Sequence, residues 1–336
     1  MTLTTHGHVT FKGKSNVRSL CACLNCSMEI SDALATKPSF GILVIGFNRP
    51  AILQETLDHL RKNADLSGAP LFFSLDGPRS KKDAEPLAEC ATHVNQFTGA
   101  TKQFSVNNIG LRRNILDSVT KAFESVDKLL VLEDDCLLGP GAIAYFNWAF
   151  KQMDSLSNIG VISGTYFGRH KSELAFTANR FSSWGWATNK EVWGQFMASK
   201  FPNVALTALY SEISTLTSGD PFPYRFEYRS IKKNLHKLDS WAIPFDMFLR
   251  SEKLLSLKPG LNQIRNIGFN EMATHTSRGK SLSIPTSELR LSTIRMAGRI
   301  ESARLEWAEA WSKISKLAIE WLLDKTKLFP SAGQHG

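Results

Sequence analysis

An alternation of strand and helix patterns runs through the first half of the chain and constrains its fold more than any other feature. The apolar run of residues 41–47 predicts a strand buried on both faces. Further strands are predicted at residues 71–75, 103–106, 128–132 and near 160–163, with helical patterns after the first, third and fourth strands. This order predicts an α/β fold with a mostly parallel, doubly wound sheet flanked by helices.

Polar residues follow four of the predicted strands. The segments are Asn48-Arg49-Pro50, Asp76-Gly77-Pro78-Arg79, Asn107-Asn108-Ile109-Gly110 and Glu133-Asp134-Asp135. Ligands of such sheets bind beyond the carboxyl ends of the strands. Together, the four segments therefore predict a crevice of nucleotide size at that edge of the sheet.

The acidic triplet of residues 133–135 is the sharpest of these signals. Three adjacent carboxylates repel one another, so a positive partner is expected beside them. Carboxylate oxygens favour Mg²⁺ or Mn²⁺, whose remaining ligands can be substrate phosphates. The alternative is an acidic loop that stabilises the start of a helix near Pro140. The apolar strand before the triplet and the polar ends of the other strands favour the functional interpretation.

The composition limits the classes of partner. The 336 residues include 40 basic and 31 acidic side chains, which gives a net charge of +9. This balance favours anionic ligands such as nucleotides, phosphates, acidic glycans or a membrane surface. Nucleic acid is not predicted, because no run of five Lys or Arg residues occurs. No apolar stretch reaches the roughly 18–20 residues of a membrane span.

The cysteines and the first residues bear on the compartment. Five cysteines, an odd number, accompany an N-terminus without the basic-then-apolar order of an export signal. These features predict a protein of the reducing cytoplasm. The inner face of the plasma membrane is a further expected location, because residues 265–300 hold six basic side chains against two acidic ones.

The polar segments, in their order, resemble those of GT-A fold glycosyltransferases, which have a Rossmann-like sheet. The similarity is greatest to bacterial family-2-like enzymes related to N-acetylglucosaminyltransferase I. It covers residues 40–276 and includes the later segments Ser183-Trp184-Gly185-Trp186, Asp239-Ser240-Trp241 and Asn266-Ile267-Gly268-Phe269. The resemblance implies a metal-dependent, inverting transferase of polysaccharide biosynthesis. Its donor would be a nucleotide sugar, with a UDP-sugar expected, and its acceptor a glycan or lipid-linked saccharide.

The resemblance also implies roles for individual residues. Asp135 would bind Mn²⁺ or Mg²⁺, and His275 is either a late metal- or phosphate-facing residue or an ordinary loop histidine. Trp184 and Trp186 would pack on sugar rings, although core packing is the alternative for either. The nucleotide and its phosphates would contact Asn48, Arg49, Asp76, Arg79, Arg113, Glu133 and Asp134.

The catalytic base has two candidates. An inverting transferase needs a carboxylate within hydrogen-bond reach of the acceptor hydroxyl. Asp239 belongs to the Asp-Ser-Trp segment, and Asp246 lies seven residues later, on the same face if the whole segment is helical. In some relatives the acid directly follows the tryptophan, where this chain has Ala242. We favour Asp239 and keep Asp246 as the alternative.

Other functions are weighed against this interpretation. A nucleotidyltransferase that makes nucleotide sugars would need a glycine-rich phosphate loop after the first strand, which Asn48-Arg49-Pro50 does not provide. An inert glycan-binding or scaffold protein would have no reason to keep three adjacent acids. Hydrolysis of phosphate esters would need further clustered His and Asp ligands.

The chain divides into three parts. Residues 1–39 are expected to be a poorly ordered tail, in which Cys21, Cys23 and Cys26 lack an evident fourth zinc ligand. Residues 40–286 would form the catalytic domain, with a nucleotide-sugar half at 40–165 and an acceptor half at 166–286. Residues 287–330 predict a helical extension, which would dock on this domain or form a homodimer.

Overall fold

The structure, a computed structural model, describes residues 28–29, 38–63, 68–168, 172–268 and 293–326. The strands are β1 Met28–Glu29, β2 Gly41–Gly46, β3 Leu71–Leu75, β4 Thr101–Phe104, β5 Lys128–Glu133, β6 Cys136–Leu138, β7 Ile159–Ser163, β8 Leu174–Ala178, β9 Trp186–Asn189, β10 Leu255–Pro259, β11 Ile264–Asn266 and β12 Thr293–Met296. The helices are α1 Pro50–Asn63, α2 Ala84–Asn95, α3 Leu111–Ala122, α4 Ala142–Ser155, α5 Lys190–Ala198, α6 Tyr210–Leu216, α7 Phe222–Asn234, α8 Ala242–Ser251 and α9 Arg299–Thr326.

The main sheet has ten strands in the order β1-β12-β8-β10-β7-β9-β5-β2-β3-β4. The strands β4, β3, β2 and β5 are mutually parallel, so their carboxyl ends meet at one edge. The predicted α/β class, a mostly parallel sheet flanked by helices with a helical extension, is confirmed. Some pairings differ, because β1 runs antiparallel to β12, β8 runs antiparallel to β10, and the four-residue strand β9 runs antiparallel between β5 and β7. A four-residue strand carries too little periodicity for a sequence pattern to reveal it.

Side chains of the central strands alternate between two apolar layers. Ile42 and Val44 of β2 join one core with helices α1, α2 and α4. Leu43 and Ile45 of the same strand join a second core with α3, α5 and α8. This alternation is the period of two that a pleated strand imposes. It explains why β2 reads as a continuous apolar run.

The third predicted strand is displaced by two residues. The predicted strand covers residues 103–106, but β4 spans Thr101–Phe104 and lies at the edge of the sheet. Phe104 and Val106 are exposed there. The helix expected from Pro140 begins at Ala142, and the short strand β6 precedes it.

The C-terminal helix α9 is fixed to the sheet by buried ionic contacts. Lys258 Nζ of β10 lies 2.7 Å from both carboxylate oxygens of Glu309, and both side chains are fully buried. Tyr224 of α7 donates a hydrogen bond of 3.0 Å to the same carboxylate. The helix thus meets the sheet through a paired charge, which an apolar pattern does not predict. Within the described part of the chain, no helix combines the length and apolar character needed to cross a bilayer.

Candidate active site

The carboxyl ends of β2, β3 and β5 open into a cleft of about 480 Å³. Its floor is made by the segments that follow these strands. The same cleft is also lined by Trp184 and by residues 238–242 of the second half of the chain. The sequence segments predicted to form a crevice therefore meet in one place, together with residues far from them in the sequence.

Arg49 holds two carboxylates of the acidic triplet. Its Nε lies 3.2 Å from Asp134 Oδ2, and its Nη2 lies 2.9 Å from Asp135 Oδ2 and also contacts Asp134 Oδ1. Burial alone would lower the pKa of Arg49, but the two carboxylates outweigh it and raise that pKa. Thr56 Oγ1 donates to the Asp134 carbonyl at 2.6 Å and fixes the turn. Arg49 is therefore the positive partner that the triplet requires, and it lies at the same edge of the sheet.

Asp135 and Glu133 lie in different surroundings on either side of Asp134. Asn266 Nδ2 donates to Asp135 Oδ1 at 2.8 Å, which ties β11 to the triplet. Glu133 lines the cleft, and burial together with repulsion by Asp135 and Asp134 raises its pKa to about 8. A carboxyl group whose pKa is raised in this way is stabilised as an anion by any cation that enters the cleft.

The residues around Asp135 could supply some, but not all, of the ligands that a divalent cation needs. A Cβ on Gly268 would lie 2.1 Å from Asp135 Oδ2, so the glycine keeps the space beside that oxygen open. Mg²⁺ and Mn²⁺ accept such carboxylates together with substrate phosphates and water. No group of three or more His, Cys, Asp or Glu side chains able to hold a metal occurs among the residues that the structure describes. The phosphates of a ligand would have to complete the coordination.

Asp76 shapes the neighbouring loop. Its carboxylate accepts hydrogen bonds of 2.8–3.0 Å from Asn108 Nδ2 and from the backbone amides of Gly77, Ile109 and Gly110. Gly110 has φ +83°, a conformation that favours glycine. Asp76 thereby positions the loop that leads into α3. Its carboxylate, which was expected to contact a nucleotide, already accepts these four hydrogen bonds within the protein.

Asn48 and Arg79 are organised by a residue that sequence reasoning missed. Asn48 Nδ2 donates to Asp83 Oδ1 at 2.5 Å, and the backbone amides of Arg79 and Ser80 donate to Asp83 Oδ2. The Arg79 guanidinium lies 4.5 Å from the centre of the Phe47 ring. The Ser80-x-x-Asp83 spacing is that of a capping box and could have identified Asp83.

The two candidate bases have different environments. Asp239 lines the cleft with an exposed side chain, and no hydrogen bond holds its carboxylate among the described residues. A Cβ on Gly110 would lie 3.2 Å from Asp239 Oδ2, so the carboxylate faces the loop that Asp76 fixes. Asp246 is buried outside the cleft, where it accepts hydrogen bonds from Tyr228 and Arg250.

Two further predicted residues, Trp186 and Arg113, lie away from the cleft. Trp184 lines it, whereas Trp186 is fully buried and stacks on Trp241 with a centroid distance of 4.7 Å. Arg113 is exposed and pairs with Asp117 at 2.7 Å, away from the lining residues. His275, like Cys21, Cys23 and Cys26, lies outside the described residues.

Comparisons with known proteins give fold similarity at low identity. No protein-family profile matches the sequence, and no curated protein matches it. Among solved structures, mannosyltransferase PcManGT from Pyrobaculum calidifontis, in complex with GDP-Man and Mn²⁺, is similar with a TM-score of 0.39 and 12% identity, over 66% of this chain and 74% of that one.

Two other solved structures are similar over about half of the chain. The 4-diphosphocytidyl-2C-methyl-D-erythritol synthase from Anaerococcus prevotii DSM 20548 has a TM-score of 0.28 and 11% identity, over 50% of this chain and 79% of that one. The bifunctional glycosyltransferase WbbM has a TM-score of 0.29 and 9% identity, over 48% of this chain and 34% of that one. Similarity at this level does not decide the reaction.

Proposed function

We propose that this protein is a glycosyltransferase that uses a nucleotide-sugar donor. One observation carries the proposal. A single cleft is lined both by the ion-paired Arg49, Asp134 and Asp135 and by the exposed carboxylate of Asp239, which no hydrogen bond holds among the described residues. The first group suits a charged diphosphate, and the second suits a proton acceptor for a hydroxyl nucleophile.

The donor would lie at the strand edge. When a divalent cation binds Asp134 and Asp135, Arg49 can donate a charge-assisted hydrogen bond to a diphosphate oxygen. A divalent cation bound by Asp135 and Asp134 would neutralise the charge that gathers on the leaving diphosphate. Asn48 and Arg79 line the same cleft and would contact the nucleoside. The finer assignments, a UDP-sugar and dependence on Mn²⁺, belong to this proposal.

Asp239 would act as the general base. Its carboxylate takes the proton of the acceptor hydroxyl as the acceptor oxygen attacks the anomeric carbon. The bond from that carbon to the donor phosphate oxygen breaks on the opposite face, so the nucleoside diphosphate leaves and the configuration inverts. The exposed part of Trp184 in the cleft offers an aromatic face for a sugar ring. The acceptor would be a glycan or a lipid-linked saccharide.

The products decide between this function and nucleotidyl transfer. Purified protein is incubated with Mn²⁺ and a panel of sugar nucleotides, and in parallel with nucleoside triphosphates and sugar 1-phosphates. A glycosyltransferase releases nucleoside diphosphate from one class of sugar nucleotide, slowly to water and faster with an acceptor. Release of pyrophosphate from a triphosphate would instead establish a nucleotidyltransferase and overturn the proposal.

A further inference from the structure

Helix α7 has a buried aromatic face and an exposed face of a different composition. Tyr224 and Tyr228 point inward and are buried. The exposed residues recur at intervals of three and four and lie on one stripe about 100° wide. They are Phe222, Arg225, Phe226, Arg229 and Lys233. We call this stripe the α7 surface.

The α7 surface carries positive charge that no acid of the described residues compensates. No acidic side chain of the described residues pairs with Arg225, Arg229 or Lys233. The single acid of the helix, Glu227, contacts Arg180 at the flank. Lys232 adds a further cation beside the stripe, 3.6 Å from the centre of the Tyr210 ring. The charge of this surface therefore favours an anionic partner.

The same surface exposes large aromatic groups. Phe222 and Phe226 are 50% and 48% exposed, which is unusual for side chains of this size. Helix α9, which packs on α7 through Tyr224 and Glu309, also exposes Trp307 and Trp311. Exposed phenylalanines between arginines gain nothing from a soluble anion, but they can enter the acyl boundary of a bilayer.

We propose that the α7 surface docks on an anionic phospholipid bilayer. Its arginines and lysine would contact lipid phosphates, and the two phenylalanines would bury between the headgroups. A second copy of the chain is a poor partner, because two such faces would bring like charges together. The charge and the exposed aromatic rings thus point to the same partner.

The position of α7 gives this docking a consequence for the cleft. The helix ends at Asn234, four residues before Leu238, which lines the cleft beside Asp239. A protein held by its α7 surface carries the Asp239 side of the cleft close to the bilayer. This position implies a lipid-linked acceptor. The inference about the acceptor rests on the proposed function, whereas the inference that the α7 surface docks on a bilayer does not depend on it.

Vesicle sedimentation without any sugar nucleotide tests the docking. The full-length protein is mixed with phosphatidylcholine vesicles, alone or with a third of phosphatidylglycerol, at fixed ionic strength. We expect sedimentation only with phosphatidylglycerol. The triple variant R225Q/R229Q/K233Q should bind about a hundredfold more weakly, since each basic residue near an anionic surface contributes about 1 kcal/mol.

Two further variants separate docking from general charge effects. The control K62Q/K121Q/K151Q removes the same charge at exposed lysines elsewhere and should sediment like the wild type. The variant F222S/F226S keeps the charge and should lose vesicle binding while its retention on heparin is unchanged.

Equal binding by the wild type and the triple variant would overturn the proposal, as would an equal loss in the control. Heparin retention without vesicle binding would show a soluble polyanion to be the partner and would also overturn it. Because donor binding is measured without vesicles, failure of either proposal leaves the other standing.

Discussion

Two clusters in this molecule are built from the same parts, one arginine between two aspartates. Arg49 bridges Asp134 and Asp135 at the end of β5. Arg250 bridges Asp246 and Asp220 inside the second half of the chain. The side chains are similarly hidden, with exposures of 5–12% in the first cluster and 4–7% in the second.

The clusters differ in what lies beside them. The Arg49 cluster borders a cleft of about 480 Å³, whereas Arg250 lies 5.3 Å from the centre of the Tyr228 ring and is enclosed. Tyr228 also donates a hydrogen bond to Asp246. The same ion pairs can therefore serve ligand binding at the first place and stability at the second. Access to a cavity, and not the set of residues, separates the two roles.

The largest effect is expected at Asp239, which lines the same cleft as the first cluster. Asp239→Asn should lower the rate of sugar transfer by about 10²- to 10⁴-fold, because it removes a general base. Donor affinity and the free energy of unfolding should stay unchanged, since no hydrogen bond of the described residues holds this carboxylate. Transfer rates, donor titration and urea denaturation measure the three quantities. Asp117→Asn, at an exposed ion pair, is the matched control. Full activity of Asp239→Asn would remove it as the base.

Arg250→Met should cause the largest loss of stability. It leaves two aspartates buried without their cation, and breaking such a pair costs about 3–5 kcal/mol. Urea denaturation would show the loss as a lower midpoint at unchanged slope. Arg250→Lys keeps the charge and should recover part of the stability. A stability loss as small as that of an exposed variant would mean that the second cluster is accessible to water.

Arg49→Met makes the same change at the cleft and should cost less, about 1–3 kcal/mol. Water and cations can reach Asp134 and Asp135 there, so added Mn²⁺ should restore part of the lost free energy of unfolding. Mn²⁺ should not rescue Arg250→Met. Thermal unfolding of both variants with and without Mn²⁺ makes this comparison. Equal rescue, or no rescue of either, would contradict the distinction between the clusters.

The smallest effect is expected at Arg113. Arg113→Gln should change the free energy of unfolding by less than about 0.5 kcal/mol, since its only described ion pair is at the surface. Donor affinity should also be unchanged, because the side chain does not line the cleft. A donor titration that shows weakened binding would bring Arg113 back as a phosphate contact.

The strands that form the cleft could be predicted because they are buried on both faces. Ile42 to Ile45 alternate between two cores, so every position is apolar and the strand end is sharp. The acidic triplet and Arg49 lie directly at such ends. Parallel strands bring such ends to one edge of the sheet, so a crevice lined by these residues could be predicted, whereas their individual roles were implied by the family resemblance.

The second half of the chain gave weaker predictions for a physical reason. Asp239 and Asp246 share a face only if one helix contains both, but α8 begins at Ala242. Trp184 and Trp186 are two residues apart, yet only the first reaches the cleft because β9 starts at the second and buries it. In the first half of the chain, Asp83 acts through a turn without an apolar pattern, so only its capping-box spacing marks it in the sequence. Such positions depend on where short elements begin, which single-sequence patterns define poorly.

The central claim, that the Arg49 cluster is a nucleotide-sugar site, is tested most directly by thermal unfolding with a donor panel. UDP-, GDP-, CMP- and dTDP-sugars are added to the wild type and to Asp135→Asn, each with and without Mn²⁺ or Mg²⁺. A ligand at a hundred times its dissociation constant stabilises the folded state by about 2.7 kcal/mol. We predict that one nucleotide class raises the melting temperature of the wild type, more strongly with the metal, and that Asp135→Asn loses the metal-dependent part. A folded wild type whose melting temperature no sugar nucleotide changes would contradict the account.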